Sequence, residues 1–84
     1  MAHLVEYENA TTEVGKALAA IDCSRAKSAR ARAWNWAEIA AEHARAAGIE
    51  NAVTLLGGGR WPEFEPLKAA LQEMAAANQI ETVV

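Results

Sequence analysis

Alanine dominates the apolar residues of this 84-residue chain and limits the core that the chain can build. Alanine accounts for 21 of them, which leaves only 23 that are Val, Leu, Ile, Met, Trp, Phe, Tyr or Cys. Each buried methylene is worth about 0.8 kcal/mol, so burying alanine gains little. Alanine does favour helices and lets two backbones approach closely. We therefore predict one small domain over residues 1–84, made of tightly packed helices, that gains core by self-association or by binding a partner.

The longest helical pattern runs from residue 24 to residue 47 and contains no Gly or Pro. Its seam recurs at alternating steps of three and four residues, the spacing of a heptad. The seam positions are Ala26, Ala29, Ala33, Trp36, Ala40, His43 and Ala47. Before it, Asp22-Cys23-Ser24 interrupts the pattern, because Asp and Ser favour caps over helix interiors. We predict a long alanine-rich helix over residues 11–47 that is broken near residues 22–24.

Three short segments have patterns typical of β-strands. Residues 3–7 alternate, residues 51–56 form a short apolar run that ends at three glycines, and residues 80–84 are partly β-branched. Between the last two segments, an apolar stripe predicts a second helix over residues 63–78. This order predicts an α/β fold that is predominantly helical and contains a small parallel sheet. An all-α helical bundle is the alternative.

Charge is segregated along the chain, although the net charge is only −3. Residues 24–37 contain four basic side chains and no acidic one. Such a face can bind phosphate or an acidic partner, or it can be a solvated helix surface. Tryptophans beside arginines are typical of interface anchors, although they also supply core volume. We predict a partner-binding surface made of Arg25, Lys27, Arg30, Arg32, Trp34 and Trp61.

A glycine-rich segment follows the third apolar run. If residues 51–56 are a strand and Glu63 begins a helix, the glycines form a βα loop whose N–H groups can hold an anion. The segment matches neither G-x-G-x-x-G nor a P-loop, and Glu63 and Glu65 bring negative charge. Two interpretations of this segment are therefore possible, an anion-binding loop and a turn that binds no ligand. The residues of this loop are Gly57, Gly58, Gly59 and Arg60.

The sequence offers little for catalysis or metal binding. Cys23 is the only cysteine, and His3 and His43 are the only histidines, which excludes a disulfide and the usual zinc sites. To act as a base, His43 needs a nucleophile or a carboxylate within hydrogen-bond reach, and no such group is evident from the sequence. We interpret His43 as a packed or interface histidine and Cys23 as a small buried hydrophobe. We predict no catalytic residue, no metal and no cofactor.

Two short stretches resemble parts of known families. Residues 47–57 resemble the helix-to-strand step of primase-type Toprim domains, and this resemblance implies a strand at residues 52–56. Residues 53–62, which end in Gly59-Arg60-Trp61-Pro62, look like the end of a repressor-type helix-turn-helix whose turn would be Gly48-Ile49. The two resemblances imply different structures for the same five residues.

The function classes follow from these features. No apolar run of about 18 residues is present, and the N-terminal residues lack the pattern of a signal peptide, so we expect a cytoplasmic protein without membrane contact. We predict a small non-enzymatic protein-interaction module, such as a regulator, inhibitor or accessory subunit. It would bind a protein partner or itself through the alanine-rich helix. The alternatives are a nucleic-acid-binding regulator, using the Arg25–Arg32 face or the helix-turn-helix-like segment, and an accessory or catalytic subunit of an enzyme.

Overall fold

The chain is mostly helical, as predicted. The structure is a computed structural model that describes the backbone of residues 2–83 and the side chains of residues 5–77. Its helices are α1 (Ala2–Asn9), α2 (Glu13–Arg25), α3 (Arg30–Ala47), α4 (Ala52–Leu55) and α5 (Glu65–Val83). The described residues contain no strand, which agrees with the all-α alternative and not with the α/β fold. Over the same residues, no helix is both long enough and apolar enough to cross a bilayer.

The prediction of three strands is wrong. Residues 3–7 lie inside α1, residues 52–55 form α4, and residues 80–83 continue α5, while residue 84 lies outside the described residues. A short apolar run fits a buried strand and a buried helical turn equally well. In the middle segment, Ala52 and Leu56 are the buried side chains. Their spacing of four puts both on one face of a helical turn.

The boundaries of the two predicted helices also shift. Asp22, Cys23 and Ser24 belong to the end of α2, so the interruption falls at residues 26–29 and not near 22–24. The hydroxyl of Ser24 is buried and donates a 2.5 Å hydrogen bond to the carbonyl of Ala33 in α3. This serine therefore links two helices, where local preference had predicted a cap. The second helix begins at residue 65 rather than 63 and continues past residue 78.

Local signals fix two of the other helix ends. Thr12 caps α2, and its hydroxyl accepts a 3.0 Å hydrogen bond from the N–H of Gly15. Gly48 ends α3 with a φ of 122°, a backbone conformation that L side chains rarely adopt. Its N–H returns to the carbonyl of Ala44 at 3.1 Å, which closes the last turn. The chain then folds α4 back against α3.

The central helix of the fold is α2, which contacts α1, α3 and α5. Where α2 meets α3, most of the buried side chains are alanines. They are Ala17 and Ala20 on α2, with Ala37, Ala40, Ala41 and Ala44 on α3. Larger buried side chains are few. Ile21 belongs to α2, and Leu56, Leu67 and Leu71 come from the chain after α3.

We expect Ser24→Ala to lower the free energy of unfolding by about 1 kcal/mol, because it removes a buried hydrogen bond between α2 and α3. In a domain of this size, the loss corresponds to a fall in Tm of about 4–8 °C. Ser28 is exposed in the α2–α3 connection, so Ser28→Ala is the matched control and should leave Tm unchanged. Circular dichroism measures the Tm of both variants. Equal Tm values would show that the hydrogen bond from Ser24 to Ala33 does not stabilise the fold.

Candidate functional site

The two tryptophans of α3 lie on opposite flanks of that helix. The indole N–H of Trp34 donates a 2.9 Å hydrogen bond to the carbonyl of Arg60, in the loop before α5. Trp36 instead makes an edge-to-face contact with Tyr7 of α1, with ring centroids 5.3 Å apart. Two residues along an α-helix turn by about 200°. We call the side of Trp34 the loop flank and the side of Trp36 the α1 flank.

The α1 flank contains three polar side chains in a hydrogen-bonded row. The hydroxyl of Tyr7 lies 2.8 Å from Nε2 of His43, and Nδ1 of His43 lies 2.6 Å from Oε2 of Glu13. An ionised carboxylate can only accept, so Nδ1 carries the proton that is donated to Glu13. In the neutral ring, Nε2 then accepts from the tyrosine hydroxyl. We call these residues the Tyr7–His43–Glu13 cluster.

This cluster joins three helices, because each of its members comes from a different one. The side chain of His43 is 22% exposed and that of Glu13 is 42% exposed, so the row lies at the edge of the fold. The interpretation of His43 as a packed histidine fits this placement. Each of its two ring nitrogens also has a hydrogen-bond partner. Sequence reasoning missed Tyr7, which had been assigned to a strand, and Glu13, which precedes His43 by 30 residues. Only the antiparallel packing of α2 on α3 brings Glu13 and His43 together.

The other candidates for chemistry are isolated. Cys23 is buried and its thiol is free. Burial raises the pKa of this thiol, which disfavours the reactive thiolate. Among the residues that the structure describes, no group of three or more His, Cys, Asp or Glu side chains could hold a metal ion.

The loop flank contains a groove of about 540 Å³ between α3 and α4. Apolar side chains form part of its lining, and charged side chains of α3 border it. The apolar ones are Trp34, Ile39, Ala41, Val53 and Leu56, and the charged ones are Glu38, Glu42 and Arg45. Val53 is 58% exposed, and Trp61, which follows the carbonyl that Trp34 binds, is 48% exposed. Apolar surface is therefore open to solvent on this flank.

The structure gathers part of the predicted partner-binding set on the loop flank. Arg30 lies one helical turn before Trp34, and the hydrogen bond of Trp34 holds the loop that contains Arg60 and Trp61. Arg32, by contrast, lies one turn before Trp36 and therefore belongs to the α1 flank.

Basic side chains gather where α2 turns into α3. Arg25 ends α2, Lys27 lies in the connection, and Arg30 and Arg32 begin α3. In the part of the chain that the structure describes, none of the four forms an ion pair. We call Arg25, Lys27 and Arg30 the basic end, and we leave out Arg32 because it belongs to the α1 flank.

The glycine-rich segment follows the short helix α4, so it is not the βα loop that the anion-binding interpretation assumed. Gly57 has a φ of 73°, and a carboxylate oxygen of Glu63 occupies the space that a Cβ there would need. This negative charge opposes the binding of an anion at that point. Anion binding by Gly57, Gly58, Gly59 and Arg60 stays a prediction that no contact among the described residues supports.

Comparison with protein-family models, with curated proteins and with solved structures finds no match to this chain. The Toprim-like resemblance implied a strand at residues 52–56, where the structure has α4. The helix-turn-helix-like resemblance implied a recognition helix after Gly48, but α4 is only four residues long. The two flanks of α3 are therefore the features of this chain that indicate a function.

Tyr7→Phe should lower the free energy of unfolding by about 0.5–1.5 kcal/mol, because it removes the hydroxyl that bonds to His43. Tyr7→Ala also removes the ring that packs on Trp36, so its cost should reach about 3 kcal/mol. Urea unfolding followed by circular dichroism measures both. Glu8→Gln, an exposed change on α1, is the control. If Tyr7→Phe is as stable as the wild type, the cluster does not hold α1.

Iodoacetamide should alkylate Cys23 at least about tenfold more slowly in the native chain than in urea, because the thiol is covered and its pKa is raised. A raised pKa leaves less thiolate at any given pH, so the native rate profile should shift toward higher pH. Mass spectrometry of timed samples gives the rates. Equal native and denatured rates would show that the thiol is accessible.

Proposed function

We propose that this chain is a small non-enzymatic protein-interaction module that binds its partner on the loop flank. One observation carries the proposal: Val53 and Trp61 are 58% and 48% exposed on the flank that contains the groove. Apolar surface bordered by polar side chains is typical of protein interfaces. A chain with so few large apolar residues gains most by burying such side chains against another molecule.

Preorganised anchors support this proposal. The hydrogen bond from Trp34 to the carbonyl of Arg60 fixes the loop immediately before Trp61. A side chain held near its bound position loses less conformational entropy on association. Tryptophan and arginine are also the residues that most often dominate binding energy at interfaces. Trp61, beside Arg60, is therefore the anchor that we propose for the partner.

The basic end adds charge to the same surface. Its side chains lack ion pairs among the described residues, so they attract an acidic region of the partner and speed encounter. The same cations favour nucleic-acid binding as a second candidate function. Against that candidate, the whole chain has a net charge of −3, whereas nucleic-acid-binding domains are usually basic.

Val53→Asp should reduce capture of the protein partner at least about tenfold, because it puts a charge into an apolar contact. Val5→Asp is a matched control, since Val5 is 53% exposed but belongs to α1. The measurement is affinity capture on the immobilised chain with quantitative mass spectrometry, after circular dichroism has shown both variants to be helical. Trp61→Ala should reproduce the loss.

Two outcomes would contradict the proposal. Equal capture by the Val53→Asp and Val5→Asp variants would show that the loop flank is not the binding surface. Binding of a labelled DNA duplex that weakens steeply with salt, without any captured protein, would favour nucleic-acid binding instead.

A further inference from the structure

Charges of opposite sign are separated along the loop flank of α3. The basic end lies at the start of this helix, whereas Glu38 and Glu42 border the groove in its middle. We call these two carboxylates the acidic rim. Neither of them forms an ion pair with another described residue, and the same holds for the basic end. Arg45 borders the same groove one turn after Glu42, but it forms no ion pair with it, and Glu38 lies closer to the basic end. One chain thus offers Arg30 and Glu38 as complementary charges that are not paired within it.

We propose that the occupant of the groove is a second copy of this chain, packed antiparallel about a two-fold axis that passes close to Trp34. This inference rests on the proposed function, because it names the partner of the loop flank. In a two-fold interface, residue i of one copy meets residue j of the other, and j meets i. Antiparallel pairing centred on position 34 places Arg30 opposite Glu38 of the second copy. Arg25 and Lys27 lie beside the start of α3, so they add positive charge near the same end of the interface.

Helix geometry makes this pairing possible only between copies. Positions 30 and 38 are eight residues apart on α3, which corresponds to about 12 Å along the axis at 1.5 Å per residue. A side chain pairs within a helix with partners three or four residues away. Arg30 and Glu38 therefore do not neutralise each other in one chain, but they meet twice across the two-fold axis.

Association of two copies would also bury more apolar surface than the core of one chain does. The contact of α2 with α3 is mostly alanine, and the fully buried large side chains are few. Small domains without disulfides or metals commonly gain buried apolar surface by oligomerising. In the proposed dimer, the groove that includes Val53 is covered by the basic end of the second copy, and Trp34 and the Trp61 loop lie near the axis. The apolar surface is then buried, and Arg30 is paired with Glu38, in one step.

Sedimentation equilibrium over a range of micromolar concentrations tests the proposal. The wild-type chain should form dimers. Arg30→Glu and Glu38→Arg should each weaken dimerisation about tenfold or more, because each creates two like-charged contacts in the dimer. An equimolar mixture of these two variants should dimerise about as tightly as the wild type, because every contact across the mixed interface again joins opposite charges.

Arg32→Glu is the matched control, because it reverses an exposed charge two residues away on the α1 flank. It should leave the dimer intact. A wild-type chain that stays monomeric, a mixture that stays monomeric, or equal weakening by Arg32→Glu would each overturn the antiparallel dimer. Circular dichroism of the exposed-site variants confirms that they are folded.

The same variants separate this inference from the proposed function. If the wild-type chain is monomeric and the Val53→Asp variant still loses a captured protein, the dimer is overturned and the interaction module stands. If Val53→Asp changes neither capture nor dimerisation, both proposals are overturned.

Discussion

The close packing of α2 on α3 through alanine is the constraint on which the rest of the structure depends. Methyl-sized side chains let the two backbones approach until polar groups on one helix reach the other. The hydroxyl of Ser24 thereby reaches the carbonyl of Ala33, and the carboxylate of Glu13 reaches His43 at 2.6 Å. Larger side chains in this seam would separate the helices and break both contacts. Alanine therefore limits the size of the core and, at the same time, allows its polar contacts.

The sequence predicts the helical segments best where the pattern is long. The alanine-rich stretch and the apolar stripe after residue 63 both form helices, and Cys23 is buried as expected. Short apolar runs fail, because residues 51–56 satisfy the strand pattern and the helix pattern equally well. The interruption between the two helices was predicted a few residues too early. Ser24 belongs to α2 because its hydroxyl bonds to Ala33 of α3, a contact that the local sequence does not reveal. The Tyr7–His43–Glu13 cluster could not be predicted from the sequence, because Tyr7 and Glu13 precede His43 by 36 and 30 residues.

The two flanks of α3 differ in how many of their side chains have a partner within the chain. On the α1 flank, Trp36 packs against Tyr7, and His43 bonds to partners at both ring nitrogens. On the loop flank, Trp34 is bonded to the neighbouring loop, but Val53 is exposed, and the acidic rim has no ion pair among the described residues. The loop flank thus combines exposed apolar side chains with carboxylates that form no ion pair. This asymmetry is the reason for assigning binding to the loop flank and a structural role to the α1 flank.

The three indoles lie in three different surroundings. Trp34 donates to a backbone carbonyl, Trp36 lies against a tyrosine ring, and Trp61 is about half exposed. We therefore expect the emission of Trp61 to depend on solvent, and the emission of Trp36 to change when α1 detaches. The chain thus contains intrinsic optical reporters for separate regions, and single-tryptophan versions could follow each region in real time without an attached dye.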